Sequence, residues 1–255
     1  MRCISALCVS ALIVFLAFAG LLRHEGLAAP EPTKIKVLLV TGHDVMPAHD
    51  WRKTTEKARA ILEEAGIFDV KLVEDTGIFE SSTLGKYDVI VNNFGFWEAP
   101  ELTPAARAGL LKYVEGGKGL VSLHFACSSY QEWPEYKDLI GRIWKKGVGG
   151  HGPRGKFVVN IVKKDHPITA GLSDFEMDDE LYAKLTGDAP IEVLASANSD
   201  WSKNVEPMVF TRSYGKGRVV QDVLGHDVKA QENPTYKTLL KRCVEWAATG
   251  KVTQK

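Results

Sequence analysis

The first half of the chain alternates short apolar runs with amphipathic stretches. The stretch 51–65 places apolar residues at helical spacing and ends at a glycine. The stretch 103–116 begins with Thr103 as a helix N-cap and Pro104 as the first helical residue. Strands that alternate with helices at this spacing predict a parallel, doubly wound α/β sheet with right-handed crossovers. The strands predicted in this half are 34–40, 70–73, 87–92 and 119–123.

The second half has a different pattern. Residues 128–155 are rich in Trp, Tyr, Gly and Pro, and a short helix is predicted across 136–143. The turn 213–217 separates two apolar runs like a hairpin, so we expect some antiparallel strands in the C-terminal half. An amphipathic helix over 236–248 completes the predicted fold. The strands predicted in this half are 157–162, 191–195, 208–214 and 218–224.

The N-terminus has the pattern of an export signal. Residues 1–19 carry Arg2 as the only charge, an apolar stretch and a small-x-small cleavage site, although cleavage as late as Ala29 also fits. Residues 20–33 form a linker, and the folded domain is expected over 34–250. This predicts a secreted or periplasmic protein with no membrane attachment after cleavage; an uncleaved anchor is the alternative.

Composition narrows the choice of partners. The 255 residues carry 32 basic and 32 acidic side chains and no net charge, which argues against a nucleic-acid partner. The mature chain keeps Cys127 and Cys243, which are either two buried thiols or a disulfide. The sequence does not fix the oligomeric state, and a homo-oligomer stays open.

Three histidines follow the ends of predicted strands. His43, His124 and His226 each come where an apolar run gives way to a glycine or a turn. Ligands of open α/β sheets bind beyond the carboxyl ends of the strands. If these strands are parallel neighbours, we expect the three imidazoles to converge on one crevice.

His124 occupies the strand-to-turn position where related α/β folds place a nucleophile. An imidazole cannot replace the Ser or Cys of a nucleophile–base pair, so glutaminase chemistry is excluded. Acid–base catalysis, hydrogen bonding to a hydroxyl group, and metal binding remain for His124.

Two further polar segments are candidates for the same crevice. His151 lies between glycines, which let the backbone approach a ligand, although a solvated glycine turn explains this segment too. Glu180 ends an acidic cluster and is a candidate base, metal ligand or sugar-binding carboxylate, although solvated acidic turns are common.

Aromatic residues follow the predicted strands and suggest a sugar-binding mouth, because apolar C–H faces of sugars stack on aromatic rings. The predicted substrate-binding residues are His43, Trp97, Trp133 and Tyr182. If the site holds a divalent metal, the candidate ligands are His43, His124, His151 and His226, together with Glu180.

Several motifs occur in the same order as in the ThuA-like, or trehalose-utilisation, family, and the sequence resembles that family over about residues 34–250. The resemblance implies a flavodoxin-like sheet similar to that of class I glutamine amidotransferases but without their catalytic cysteine, in agreement with His124. It also implies a role in carbohydrate catabolism, including the processing of 3-keto-glycosides. The recurring polar positions of the family fall on His43, His124, His151, Glu180 and His226. The motifs are GLVSLHFA, EWPEYKDLIG, GGHG, HPIT-GL, DELY, YGKGRVV and LGHD.

Three hypotheses follow for the function. In the first, an exported enzyme cleaves or rearranges a keto-glycoside, with His124 or His226 as the base, Glu180 as the acid and His151 polarising an oxygen. In the second, the same pocket binds carbohydrate without catalysis. In the third, the histidines and Glu180 hold a metal for hydrolysis, although no HExxH or His-x-His spacing supports this.

Overall fold

The computed structural model describes residues 33–254. The predicted signal peptide at 1–19 and nearly all of the predicted linker lie outside the described residues. One sheet of nine strands dominates this region, in the order β2-β1-β3-β4-β11-β10-β9-β6-β7, and β5 pairs with β8 in a small separate ribbon. The strands are β1 Ile35–Val40, β2 Phe68–Val73, β3 Val89–Asn92, β4 Gly119–Leu123, β5 Gly150–His151, β6 Gly155–Ile161, β7 Phe175–Asp179, β8 Tyr182–Ala183, β9 Glu192–Asn198, β10 Val205–Tyr214 and β11 Gly217–Asp222.

Five adjacent strands, β2, β1, β3, β4 and β11, pair in parallel with one another. Strands β3 and β4 are buried along their whole length, and β1 is buried from Val37 onwards. Continuous burial of apolar residues is typical of parallel strands covered by helices on both faces. The predicted α/β doubly wound sheet is therefore confirmed.

The described helices start and end at residues that favour termini. Asp50 and Thr103 cap α1 and α2 by accepting backbone N–H groups, and Asn233 does the same for α5. Helix α3 starts at Pro134 and ends before Gly141, whose φ of 90° a helix does not tolerate, so it lies two to three residues earlier than predicted. The α-helices of the described residues are α1 Trp51–Glu64, α2 Pro104–Glu115, α3 Pro134–Ile140, α4 Val228–Gln231 and α5 Pro234–Thr249.

The other half of the sheet is antiparallel, as the hairpin pattern predicts. β10 pairs with β11 and β9, and β6 joins β9 to the edge strand β7. The sequence pattern did not predict β7, because its segment FEMDD looked like an acidic turn. Phe175 and Met177 alternate with acidic residues and pair with β6, so the segment is a strand with Asp179 buried at its end.

Cys127 and Cys243 are both buried and unbonded. Among the helices described between residues 33 and 254, none has the length and apolarity needed to cross a bilayer.

Candidate metal centre

Four potential metal ligands meet at the carboxyl edge of the sheet. His49, His124, His226 and Glu180 each offer one ligand atom, and these atoms all lie within 4.8 Å of one another. Oε2 of Glu180 is 3.2 Å from Nδ1 of His226, 3.5 Å from Nε2 of His49 and 3.8 Å from Nε2 of His124. Atoms spaced in this way surround a volume the size of one ion.

The sheet topology brings two of these ligands together, and the third follows an edge strand. His124 directly follows β4 and His226 follows β11, and these two strands are parallel neighbours, so their carboxyl ends lie side by side. Glu180 directly follows β7. His124 has a φ of 41°, a left-handed conformation that costs a non-glycine residue about 1–3 kcal/mol and is concentrated at functional sites.

Two of the imidazoles are held with one nitrogen facing the centre. Nδ1 of His124 lies 2.8 Å from the carbonyl oxygen of Val223, which can only accept, so Nδ1 carries the proton and Nε2 keeps its lone pair. Nδ1 of His49 lies 2.8 Å from Oδ1 of Asp44, and Asp44 also accepts the backbone N–H of Val45. A carboxylate or carbonyl behind the imidazole is the usual outer support of a histidine metal ligand.

Asp179 ties the Glu180 and His226 segments together. Its buried carboxylate accepts the backbone N–H groups of Gly225 at 2.7 Å, Glu180 at 2.9 Å and His226 at 3.1 Å. Burial raises the pKa of Asp179 to about 6, while these three N–H groups oppose the shift. Asp179 therefore fixes two ligand-bearing segments without pointing at the centre itself.

The pKa values of the clustered side chains depend on burial and on one another. Burial opposes ionisation of Glu180, yet His226 and His49 hold its pKa below the usual range. Burial also opposes a charge on His49, but Asp44 and Glu180 raise its pKa to about 9. Burial lowers the pKa of His124, and the neighbouring His49 and His226 lower it further. A cation at the centre would displace the proton from Nε2 of His49, because metal ligands bind in their deprotonated form.

The ligand atoms lack other partners. Nε2 of His124, Oε2 of Glu180 and Nδ1 of His226 are buried and have no hydrogen-bond partner among the described residues. Orphaned buried polar atoms are rare and call for an occupant such as an ion or a water molecule. Three imidazole nitrogens and one carboxylate oxygen suit zinc and other first-row divalent metals. The residues present therefore fit a metal ion.

His151 lies at the rim, outside the set of four. Its side chain is 35% exposed, and its Nε2 is 3.6 Å from Oε2 of Glu180. Nδ1 of His151 lies 2.7 Å from the carbonyl oxygen of Gly152, to which it donates. The imidazole thus closes one side of the centre while remaining in contact with solvent.

Tyr182 and Trp97 lie close to the cluster. The buried ring of Tyr182 is centred 4.3 Å from that of His124, and its hydroxyl group is 3.5 Å from Nε2 of His49. Trp97 contacts Phe125, whose ring lies 4.5 Å from that of His49. Trp97 is therefore separated from the ligands by one aromatic ring.

His43 and Trp133 lie elsewhere. His43 stacks on Phe96 at 5.3 Å and is not one of the four grouped ligands. Its strand β1 is separated from β4 by β3, so the expected convergence with His124 does not extend to it. Trp133 is 3% exposed and packs on Tyr136, which makes it a core residue and not part of the mouth of the crevice.

The sequence patterns missed His49, Asp44 and Asp179. His49 directly precedes Asp50, the N-cap of α1, and the sequence pattern around it is that of an ordinary helix start. The sequence did contain one signal for His49. Asp44 lies five residues earlier in the same loop, and its carboxylate can hydrogen-bond to the imidazole.

The fold and the site define an α/β protein with a buried candidate metal centre at the carboxyl edge of a mixed, doubly wound sheet. The family described as ThuA, trehalose utilisation, matches residues 36–247. The chain therefore belongs to the ThuA family, and the predicted resemblance is confirmed.

Solved structures agree with this assignment. A ThuA-like protein from Parabacteroides merdae is 31% identical, with a TM-score of 0.76 over 88% of this chain and 93% of that one. A ThuA-like protein from Bacteroides uniformis is 21% identical, with a TM-score of 0.71 over 89% of this chain and 97% of that one.

A β-galactosidase from Bacillus circulans shares the fold alone. It is 15% identical with a TM-score of 0.57, and the match covers 84% of this chain but 31% of that one. The comparison with curated proteins found no match.

Proposed function

We propose that this ThuA-family protein is an exported, metal-dependent enzyme that cleaves or rearranges a glycoside, with 3-keto-glycosides as the first substrates to test. The observation that carries the proposal is the convergence of unpartnered ligand atoms from His124, His226 and Glu180, with Nε2 of His49 beside them. The family description, trehalose utilisation, supports a carbohydrate as the substrate class.

A divalent ion held by the four side chains would act as a Lewis acid on a substrate oxygen. The protein's own contribution is to keep the ligands fixed and to exclude water, since His49, His124 and His226 are buried. His151 at the rim is placed to hydrogen-bond a substrate hydroxyl group without being a ligand. Trp97 and Trp144, stacked at 5.2 Å and half-buried, offer an aromatic surface for a sugar ring.

The test is elemental analysis of the purified protein. We expect about one divalent first-row metal ion per chain in the wild type. His49→Ala and Glu180→Gln should lose it, whereas His43→Ala is the matched control because His43 lies at the same edge but outside the group of four. A chelated sample should lose turnover of a keto-glycoside panel and regain it when metal is restored.

A metal-free wild type that still turns over glycosides would contradict the metal proposal and favour acid–base chemistry by the same side chains. A metal-free protein that binds sugars without turnover would favour the non-catalytic hypothesis. Sugar binding to the folded state would then raise the melting temperature without product.

Export by residues 1–19 is part of the proposal and rests on the apolar stretch that follows Arg2. N-terminal sequencing of protein from the producing cell should begin at residue 20, or at residue 30 at the latest. A chain that still begins at Met1 would contradict cleavage.

A further inference from the structure

A cavity of about 410 Å³ lies beside the candidate metal centre. We call it the Trp201 pocket; its walls include Gly152, Lys156, Phe157, Asn198, Asp200 and Trp201. Sites for small molecules typically enclose roughly 300–1,000 Å³ and combine apolar walls with a few polar groups. The pocket has the size and lining of such a site.

The pocket adjoins the rim of the metal centre. Asp179 and Leu181, which flank Glu180, belong to its wall, and Gly152 directly follows His151. His151 Nε2 lies 3.6 Å from Glu180 Oε2, so the neighbours of both residues in the pocket wall are close to the metal centre along the chain. The pocket and the metal centre thus share the chain segments that carry His151 and Glu180.

The Trp201 ring is held in place although it is 43% exposed. It packs against Gly150 so closely that a Cβ atom on Gly150 would lie 2.8 Å from the indole. The Lys184 ammonium group lies 4.6 Å from the ring centroid. An exposed aromatic ring that is already ordered costs little entropy when a ligand stacks on it.

The turn that carries Trp201 is also fixed. Ser199 donates its backbone N–H to Asn204 at 2.9 Å, and the Ser202 hydroxyl group donates to Glu206 at 2.7 Å. These bonds connect the turn to β10, whose first residue is Val205. The pocket wall is thus part of the sheet and does not depend on a loose loop.

The chemistry of the walls favours a neutral, hydroxyl-rich ligand. Trp201 and Phe157 provide apolar surface, and Asn198 and Asp200 provide hydrogen-bonding groups. Lys156, the cation in the wall, is already paired with Glu176 at 2.7 Å, which leaves it less available for an anionic ligand.

We propose that the Trp201 pocket is a second sugar subsite, which takes one ring of a disaccharide while the other ring lies at the metal centre. This rests on the proposed function, since it assumes that the reacting sugar binds at the four ligands. In this proposal, Trp201 makes the protein bind disaccharides more tightly than single-ring glycosides.

The experiment is calorimetric binding of two probes, trehalose and methyl α-glucoside, to the metal-loaded protein. We expect trehalose to bind the wild type about 10-fold more tightly than the single-ring probe, a typical value for one stacked ring. Trp201→Ala should abolish this difference and Trp201→Phe should keep most of it. Val205→Ala, at the exposed end of the same turn, is the matched control and should behave like the wild type.

Equal binding of both probes to the wild type, no binding of either, or unchanged trehalose binding by Trp201→Ala would overturn the subsite. Metal content and melting temperature, measured on the same samples, separate the two proposals. A variant that keeps its metal and its melting temperature but loses only the preference for trehalose supports the subsite. A wild type without metal or turnover that still prefers trehalose through Trp201 contradicts the proposed enzyme and leaves the subsite standing.

Discussion

The carboxylate of Asp179 accepts the backbone N–H of His226 at 3.1 Å, across the gap between the edge strand β7 and the loop after β11. The two residues are 47 positions apart in the sequence. The same carboxylate accepts the N–H of Glu180, so one buried group positions the main chain of two candidate ligands. Geometry at the centre therefore depends on a residue that does not touch it.

Replacing Asp179 should weaken metal binding without removing a ligand. We expect Asp179→Asn to lower the metal affinity about 10- to 100-fold, the usual effect of losing an outer support. It should also destabilise the fold by about 1.5–3 kcal/mol, because backbone N–H groups lose a charged acceptor. Competition with a metal-binding dye and urea denaturation measure the two effects.

The matched control is Asp178→Asn. Asp178 is the adjacent carboxylate, and it pairs instead with Lys229 and Arg154 on the surface. If both variants bound metal like the wild type, Asp179 would have no positioning role.

Asp44 gives a second prediction, because it holds the imidazole of His49. Asp44→Asn removes the carboxylate 2.8 Å from Nδ1 of His49 and should lower the metal affinity about 10- to 100-fold. Asp50→Asn is the control: Asp50 caps α1 and lies next to His49 in the sequence, and asparagine caps helices equally well. Equal affinities for the two variants would show that His49 needs no carboxylate support.

The sequence predicted the fold well because hydrophobic periodicity records burial directly. The boundaries of β4 agree at both ends, and α2 begins after Thr103 as the capping pattern indicates. At the candidate site, His124 and His226 were predicted because the ends of their strands are visible in the sequence, and Glu180 was predicted from its acidic cluster. His49 was not, because it lies in a loop whose path to the centre depends on the tertiary contact with Glu180 at 3.5 Å.

The two cysteines of the folded domain offer a further prediction, since Cys127 and Cys243 are both buried and unbonded. Burial raises the pKa of Cys127 to about 12 and also raises that of Cys243, and the thiolate is the reactive form. Once residues 1–19, which include Cys3 and Cys8, have been removed, we expect no reaction with a thiol reagent in the native protein and two equivalents after denaturation in guanidinium without reductant. No reactive thiol after denaturation would instead indicate a disulfide in the exported protein.

Asp222 should make stability depend on pH. It lies fully buried at the end of β11, and burial raises its pKa from 3.8 to about 7, with a contribution from Asp179, while the N–H of Leu224 opposes the shift. The folded state therefore keeps this carboxyl group protonated up to about pH 7, whereas the unfolded chain releases the proton near pH 4. Because the folded state binds more protons over this interval, the free energy of unfolding falls as the pH rises from about 4 to about 7.

Asp222→Asn removes this titration but keeps an oxygen for the Leu224 N–H. Relative to the wild type, the variant should become more stable as the pH rises, by at most about 4 kcal/mol between pH 4 and pH 8. Urea denaturation at several pH values measures the difference, and Asp69→Asn, at an exposed position on β2, is the control. If the free energies of unfolding of Asp222→Asn and the wild type differed by the same amount at every pH, Asp222 would have the same pKa in the folded and unfolded chains. Burial would then not raise its pKa.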